Sequence, residues 1–430
     1  MASRLHFSGA RVLLLATLLS APACGARSAI PGDGLGSGGS AGAPACTSLT
    51  FGDPKSDLLT PENGLDYYDV QLTASSDDGA RLTALLTTPQ NGAHAVSHVS
   101  LSPWQDWPSG GELSPIYATS IVTGSFPIGA PAMGDRFSIF TDDATDEVNG
   151  LNLYPDLDPN ESGQGPSDTT ISLSGDDVSF LVPPEGTPEA AAPVKYLVGS
   201  YYYPTQSATS VFGDGSTKDT VPIGCTTDNL ASAGAVPFKM EWLVALAVDA
   251  ASPTDCEGAS PGPSNRIAVM DVTGYGGATL LTSIDVEGIT EVHGAPHEKG
   301  MYLVWTVSHS GPDAVQIARY DATTDTLVGP INLAEDGELN LGVSIARVGS
   351  SLLVARGRLP ASGAADAGMM LTLLDEDLNR LFEAPLVPTL PYGGPRALYG
   401  SPDGKGAVLG WVEQSSGVGR ARLTRLDCSP

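Results

Sequence analysis

Ser351-Leu352-Leu353-Val354-Ala355, Met369-Met370-Leu371-Thr372-Leu373-Leu374 and Arg380-Leu381-Phe382-Glu383-Ala384-Pro385-Leu386 are three short runs inside one stretch, Leu339 to Val387. Gly349 precedes the first run, and Asp375-Glu376-Asp377-Leu378-Asn379 separates the second from the third. Apolar runs this short, split by Gly, Asp, Asn and Pro, predict strands joined by hairpins. The rest of the chain reads the same way. Pro or Gly interrupts nearly every window long enough to show a helical period, so an all-β fold is expected.

The stretch has copies on both sides. An acidic residue ends a strand-like run just before a turn at Asp271, Asp321, Asp375 and Asp427, at steps of about fifty residues. Asp214, behind Ser207-Ala208-Thr209-Ser210-Val211-Phe212, fits one step further upstream. Ahead of each marker lies another apolar run: Tyr196-Leu197-Val198, Trp242 to Leu246, Tyr302 to Trp305, Leu352 to Val354 and Ala407 to Trp411.

A repeat of that length holding three or four strands resembles a β-propeller blade. The resemblance lies in this pattern alone, since neither a Trp-Asp dipeptide nor a Gly-Gly doublet recurs at fixed places. It implies an all-β propeller of seven blades, with six as the alternative; a pair of β-sandwiches is the competing architecture. The last copy stops soon after Asp427, so the ring is expected to be closed by a strand from the N-terminal side. Tyr67-Tyr68-Asp69-Val70-Gln71-Leu72-Thr73 alternates like a strand and is the candidate. Residues 50 to 193 are expected to hold about two irregular blades.

Composition limits the function. The chain has 49 acidic and 21 basic residues, a formal charge of −28. Nucleic acid would be repelled, and there is no surplus of Lys and Arg to drive counterion release. The acids are scattered, as on a soluble exported domain. A hydrophobic fraction of 41% is enough for a large core.

The N-terminus reads as an export signal over residues 1–23: Arg4 and Arg11, the apolar Val12 to Leu19, then Ala21-Pro22-Ala23. Cys24 directly after Ala23 resembles the lipobox of bacterial lipoproteins, with Ala21 where Leu is usual. That resemblance implies a lipid-modified Cys24 and a place in the cell envelope, at the outer membrane; ordinary secretion or a periplasmic location is the alternative. Residues 24–45 are rich in Gly, Ser and Ala, the composition of a flexible tether, and residues 46–430 form the propeller domain. With lipid on Cys24, the other four cysteines can form two disulfides in an oxidising compartment. Three pairings are open. Cys46–Cys428 with Cys225–Cys256 is preferred, because it joins the two ends of the domain.

Few residues point to chemistry. His94/His98 and His293/His297 are two His-x-x-x-His pairs, and residues four apart in a strand share a face. If His94, His293 and Glu291 face the central channel, they form a divalent-metal set. Turn histidines on the surface are the plainer reading. Asp156, Asp158 and Asn160 are similar to the start of a calcium loop, but Glu161 stands where the turn glycine belongs and a closing Glu is missing. Gly38-Gly39-Ser40-Ala41-Gly42 matches a nucleophile elbow only in letters, since that motif needs a strand-to-helix turn. Trp104, Trp107 and Tyr201 to Tyr203 suit either a stacking groove or packing between blades.

The expected function is therefore a binding or scaffolding module, with a protein or glycan partner in the envelope, contact with the membrane through the lipid anchor alone, and no cofactor apart from that metal. The alternative is a hydrolase- or lyase-type or metal-dependent enzyme with its site at the propeller channel.

Overall fold

The computed structural model describes residues 45–51 and, between 69 and 429, the strands with the tight turns and flanking residues that adjoin several of them. Residues 1–44 and the remaining connections lie outside the described residues.

Every described element is a strand. After β1 (Ser48–Phe51) comes a sheet of β2 (Asp69–Ala74), β3 (Leu82–Gln90), β4 (Ala93–Leu101) and β5 (Ser114–Val122). The second sheet holds β6 (Ile128–Pro131), β7 (Phe137–Asp142), β8 (Gly150–Leu157) and β9 (Thr169–Ser172). The third holds β10 (Asp177–Val182), β11 (Val194–Tyr202), β12 (Thr205–Phe212) and β13 (Val221–Cys225). All are antiparallel meanders in chain order.

The next sheet is longer. It runs β14 (Ala233–Phe238), β15 (Glu241–Val248), β16 (Ser264–Thr273), β17 (Gly277–His297), β18 (Gly300–Val307), β19 (Ala314–Asp321) and β20 (Thr326–Asn332). Its seven strands are two meanders sharing β17. The first half of β17 pairs with β16, and the second half, from Ile289, pairs with β18. Burial changes at the same point: up to Glu287 the strand is half-buried or exposed, and beyond it most residues are buried and none is exposed. One strand thus begins as an outer edge and ends as an inner one.

β21 (Leu339–Val348), β22 (Ser351–Leu359), β23 (Gly368–Leu374) and β24 (Arg380–Val387) form the sheet of the opening stretch. The last sheet has β25 (Pro395–Gly400), β26 (Gly406–Ser415) and β27 (Val418–Ser429), with β1 as its fourth strand.

Apolar side chains alternate along these strands, so each sheet has two faces to cover, and neighbouring sheets cover them. Val343, Ile345, Leu352 and Val354 meet Ala295, Tyr302, Val304 and Ile317. Ala346, Leu353 and Leu371 meet Leu398, Leu409 and Trp411. Val70, Leu72 and Ala84 of the first sheet meet Ala397, Tyr399 and Val408 of the last. Burying one such Leu, Val or Ile side chain stabilises the fold by about 1.5–3 kcal/mol. The first strands also touch in succession: β2 with β6, β6 with β10, β10 with β14, β14 with the second half of β17, β17 with β21, β21 with β25, and β25 with β2. Four-stranded meanders stacked face to face through their apolar sides are blades of a β-propeller.

The last sheet is completed from the N-terminal side, but by Ser48–Phe51 rather than by the stretch around Asp69. Ser48 to Phe51 pair with Ser429 to Leu426 in antiparallel register. Asp69, Val70 and Leu72 instead belong to the first strand of the next sheet, where Val70 and Leu72 are needed to cover the last one. Cys46 is bonded to Cys428, with Cα atoms 5.5 Å apart. Cys225 is bonded to Cys256.

Candidate functional site

Four of the seven first strands have an irregularity at one end, while β2, β6 and β14 pair without a break. In β10 the pairing skips from Val178 to Phe180, in β17 from Ile289 to Glu291, in β21 from Asn340 to Val343, and in β25 from Pro395 to Ala397. Each skip is a β-bulge near the start of that first strand, placing Ser179, Thr290, Leu341–Gly342 and Arg396 outside the ladder. A bulge sharpens the local twist and re-aims the side chains beside it. Gly342 is at φ +109°, in the left-handed half of backbone space that favours glycine, and a β-carbon there would stand 3.9 Å from the Pro395 carbonyl oxygen.

Alternation along the strands places the polar groups near two of these bulges. Ala295, Tyr302 and Val304 face the β21–β24 sheet, so His293 and Glu291 on β17 and Thr306 on β18 face it too. From the other side, Leu352 and Val354 fix the face of β22 that also carries Arg356 and Arg358. Arg356 stands opposite Val343 and Arg358 opposite Asn340. The apolar layer between the two sheets therefore ends in a polar group.

Within this group the Glu291 carboxylate lies 2.6 Å from His293 Nε2. His293 is 2% exposed, and neither ring nitrogen makes a hydrogen bond, the Glu291 oxygen lying out of line with a ring N–H. The Thr290 and Thr306 hydroxyls are 2.6 Å apart. The buried Arg356 guanidinium is 3.9 Å from Glu383, whose carboxylate also accepts from Arg380 and Thr372. The Arg380 guanidinium donates to the Asn332 carbonyl as well, tying β24 to β20.

The other proposed ligands are not brought together here. His94 lies on β4, the third strand of its sheet, and its side chain is outside the described residues. His98, on the same strand, is buried and has a partner of its own. Among the described residues no group of three or more His, Cys, Asp or Glu could hold a metal ion. Asp156, expected in a surface loop, belongs to β8, which runs on to Leu157; Asp158 and Asn160 lie outside the described residues. Trp104 packs on the core of the first and last sheets and Tyr201 is buried, which is packing between blades. Trp107 and Tyr203 lie outside the described residues.

Acidic turns mark the opposite end of the sheets. The Asp321 carboxylate accepts the N–H groups of Thr323 and Thr324, and Asp375 accepts those of Asp377 and Asn379. These bonds favour the charged form; for Asp321 the Thr323 hydroxyl, which also donates to it, and then the two N–H groups hold the carboxyl below its ordinary range. For Asp375 burial pushes upward, and the bonds from Asn379 and Asp377 outweigh it. Asp271 is different. Burial and a hydrogen bond with the like-charged Glu241 push it up to about 6. His297, nearby on the β17 terminus, is pushed down to about 4 by burial and by the Arg319 and Arg347 charges.

Arg356 and Arg358 were not singled out by the sequence reading. The signal was there: Arg-x-Arg directly continues the apolar run Leu352 to Ala355, where the alternation calls for buried side chains.

No protein-family model matches the chain, and no curated protein matches it. Several solved structures resemble it in shape. Sqt1 of Chaetomium thermophilum, solved bound to the N-terminus of ribosomal protein L10, has a TM-score of 0.48 at 10% identity, covering 87% of this chain and 100% of that one. A puromycin hydrolase S511A mutant complexed with PGG has a TM-score of 0.47 at 13% identity, covering 92% of this chain and 56% of that one. Hsv2 of Kluyveromyces lactis has a TM-score of 0.43 at 10% identity, covering 85% and 100%. Similarity of this degree carries no functional argument.

Proposed function

We propose that the chain is an envelope-anchored β-propeller of seven blades, closed by β1, that binds a protein or glycan partner where the first strands bulge. The observation behind this reading is the coincidence of the bulges at one level in β10, β17, β21 and β25. Packing alone gives no reason for four sheets to break register at the same place. Bulges gather where side chains must be re-aimed, at rims and binding sites. The blade count is supported by the division of the seven-stranded sheet at β17 and by the succession of first-strand contacts from β2 back to β2.

The anchor rests on the sequence: Cys24 carries lipid, residues 1–23 are removed, and residues 24–45 tether the domain to the outer membrane. Cys24→Ala tests it; the variant should leave the membrane fraction and lose the mass of the lipid. The binding reading is tested by screening the full chain, purified in detergent, against glycan and peptide arrays. Thr290→Arg, at a bulge, should abolish any hit, whereas Asp377→Ala, in a turn at the opposite end, should not. Equal binding by both variants refutes the reading.

A second reading, a hydrolase-type or metal-dependent enzyme, is favoured by the contact between Glu291 and His293. A carboxylate beside an imidazole is the pairing found behind metal ligands and general bases. Elemental analysis of the purified chain before and after His293→Ala tests it: a stoichiometric metal lost in the variant supports the enzyme, and a metal-free chain removes the metal-dependent form.

A further inference from the structure

We infer that the outer part of β17, Gly277 to Glu287, takes an extended, basic peptide of a partner protein as an added strand. This surface is separate from the bulged ends of the first strands, and the inference stands without the binding reading proposed for them.

The outer strands of the sheets differ in how they end the ladder. A strand at the edge of a sheet presents unpaired N–H and C=O groups, and proteins blunt such edges with proline, short length or broken register. β5 contains Pro115, β13 Pro222, β20 Pro330 and β24 Pro385. β9 and β1 have four residues each. The outer part of β17 has no proline. Its pairing with β16 skips Leu281 and runs on to Asp285, which gives two even runs, Gly277 to Leu280 and Thr282 to Asp285. β18 joins β17 only from Ile289, so among the described residues nothing pairs with the other edge of these runs.

Which groups face outward follows from the hairpin that starts the sheet. Phe238 and Glu241 stand opposite each other across a two-residue turn, with Lys239 at φ 57°, so they bond each other. From there the direction of the backbone groups alternates along each strand. Trp242 and Val244 of β15 turn to β16, their partners Val272 and Met270 turn back, and Asp271, Val269 and Ile267 are left for β17. Opposite these stand Thr279, Thr282 and Ile284. Leu280, Ser283 and Asp285 therefore turn their N–H and C=O groups away from the sheet. All three residues are exposed, Leu280 to 43%.

Charge selects the occupant. Asp285 is bonded to Arg266 at 2.8 Å, whereas Glu287 is exposed at the end of the edge. A second copy would bring these acids against their own kind, in chains of −28 each. A strand with Lys or Arg near Glu287 is attracted instead, and an apolar residue on it covers Leu280.

The test uses the full chain, purified in detergent, at physiological salt. The probe is the amidated, fluorescein-labelled peptide Thr-Val-Thr-Val-Lys-Lys, followed by fluorescence anisotropy. Two versions carry N-methyl groups on alternate residues, one set for each edge of the peptide, with the charge unchanged. Saturable binding that one N-methylated version loses and the other keeps is the expected result. Ser283→Pro removes one outward N–H at an exposed position and should weaken binding roughly tenfold, with the unfolding midpoint kept. Glu287→Lys should weaken it about fivefold. In hydrogen exchange the Leu280, Ser283 and Asp285 amides should be fast in the free chain and slow with peptide bound, whereas Thr282 and Ile284 are slow in both.

Failure to saturate, equal binding of both N-methylated versions, equal binding by folded Ser283→Pro, or protected Leu280 and Ser283 amides in the free chain overturns the proposal. So does a dimer that Ser283→Pro dissociates, since the occupant is then a second copy. Thr290→Arg should leave this binding intact; its loss in that variant would place the peptide at the bulges and overturn the inference.

Discussion

Cys46 and Cys428 are bonded across 382 residues of chain, and the bond fastens β1 beside the last strand of the last sheet. β1 has only four residues. Its backbone pairing with β27 is continued by the Thr47 N–H donating to the Ser429 carbonyl, while the Ser351 hydroxyl donates to the Cys46 carbonyl. So short a strand pairs weakly by itself, and the disulfide holds it at high local concentration.

Replacing both cysteines with serine is therefore expected to lower stability. The chain-entropy relation for a loop of this length gives an upper figure of about 6 kcal/mol. Urea unfolding of Cys46→Ser/Cys428→Ser against the parent measures the loss. Limited proteolysis should also cut the double variant between 45 and 69 sooner. Unchanged unfolding and cleavage would mean that strand pairing holds β1 unaided.

Gly234 on β14 lies against the backbone of Gly294 on β17. A β-carbon on Gly234 would stand 2.2 Å from the Gly294 nitrogen and 2.4 Å from the His293 carbonyl carbon. Backbone cannot yield as a side-chain tip can, so Gly234→Ala must push β14 and β17 apart. Overpacking of this kind costs about 1–3 kcal/mol. A lower midpoint in differential scanning calorimetry checks this. An unshifted midpoint would show that the two first strands are not in contact.

Strands were legible in the sequence where apolar runs ended in turn residues, as at Leu352–Ala355 and Met369–Leu374. The recurring aspartates were legible too, and the structure gives the cause: Asp321 and Asp375 accept the N–H groups of their own turns, a local bond that Asp is suited to make. Asp271 and Asp427 break the pattern: Asp271 lies inside β16, opposite Leu243 and Thr279, and β27 continues past Asp427 to Ser429 to receive β1. Less was legible where the deciding partner is distant. Ser48–Phe51 is too short to show a period, and its identity as a strand comes from β27. A bulge is a mismatch between two strands, so Thr290 and Arg396 look like ordinary strand residues until their partners are known. For the site, the pairing of Glu291 with His293 was readable from spacing, whereas the arginines opposite them belong to another sheet.

His297 gives the fold an acid-sensitive point. The Lys299 N–H donates to its Nδ1, and the Tyr302 ring lies edge-on 5.0 Å away, so the site is built for a neutral imidazole. Burial first, then Arg319 and Arg347, push its pKa from 6.5 down to about 4. Between those values the unfolded chain binds a proton that the folded chain does not, so stability falls as pH drops from 6.5 towards 4. The full effect is on the order of 3 kcal/mol, and about 2 kcal/mol is lost by pH 5. Urea unfolding of the parent and of His297→Gln at pH 7 and pH 5 checks this. The parent should lose more than the variant on acidification; parallel losses would place the acid sensitivity elsewhere.

Asp271 works in the opposite direction. Burial and the neighbouring Glu241 carboxyl raise it to about 6 against 3.8 for an ordinary aspartate, with Lys239 only partly offsetting them. The folded chain then holds a proton that the unfolded chain has released, so this contribution is present below pH 3.8 and is lost as pH rises through 6. At pH 8 both carboxylates are charged and repel each other. Asp271→Asn keeps a hydrogen-bonding side chain and removes the repulsion, so at pH 8 it should stabilise the fold by about 1 kcal/mol, after allowance for solvent screening of a half-buried pair. Acidification to pH 4 should erase the gain, because Asp271 itself is then protonated. Unfolding of parent and variant at the two pH values decides it: a gain that persists at pH 4 would come from side-chain packing, and no gain at pH 8 would mean that Lys239 neutralises the pair.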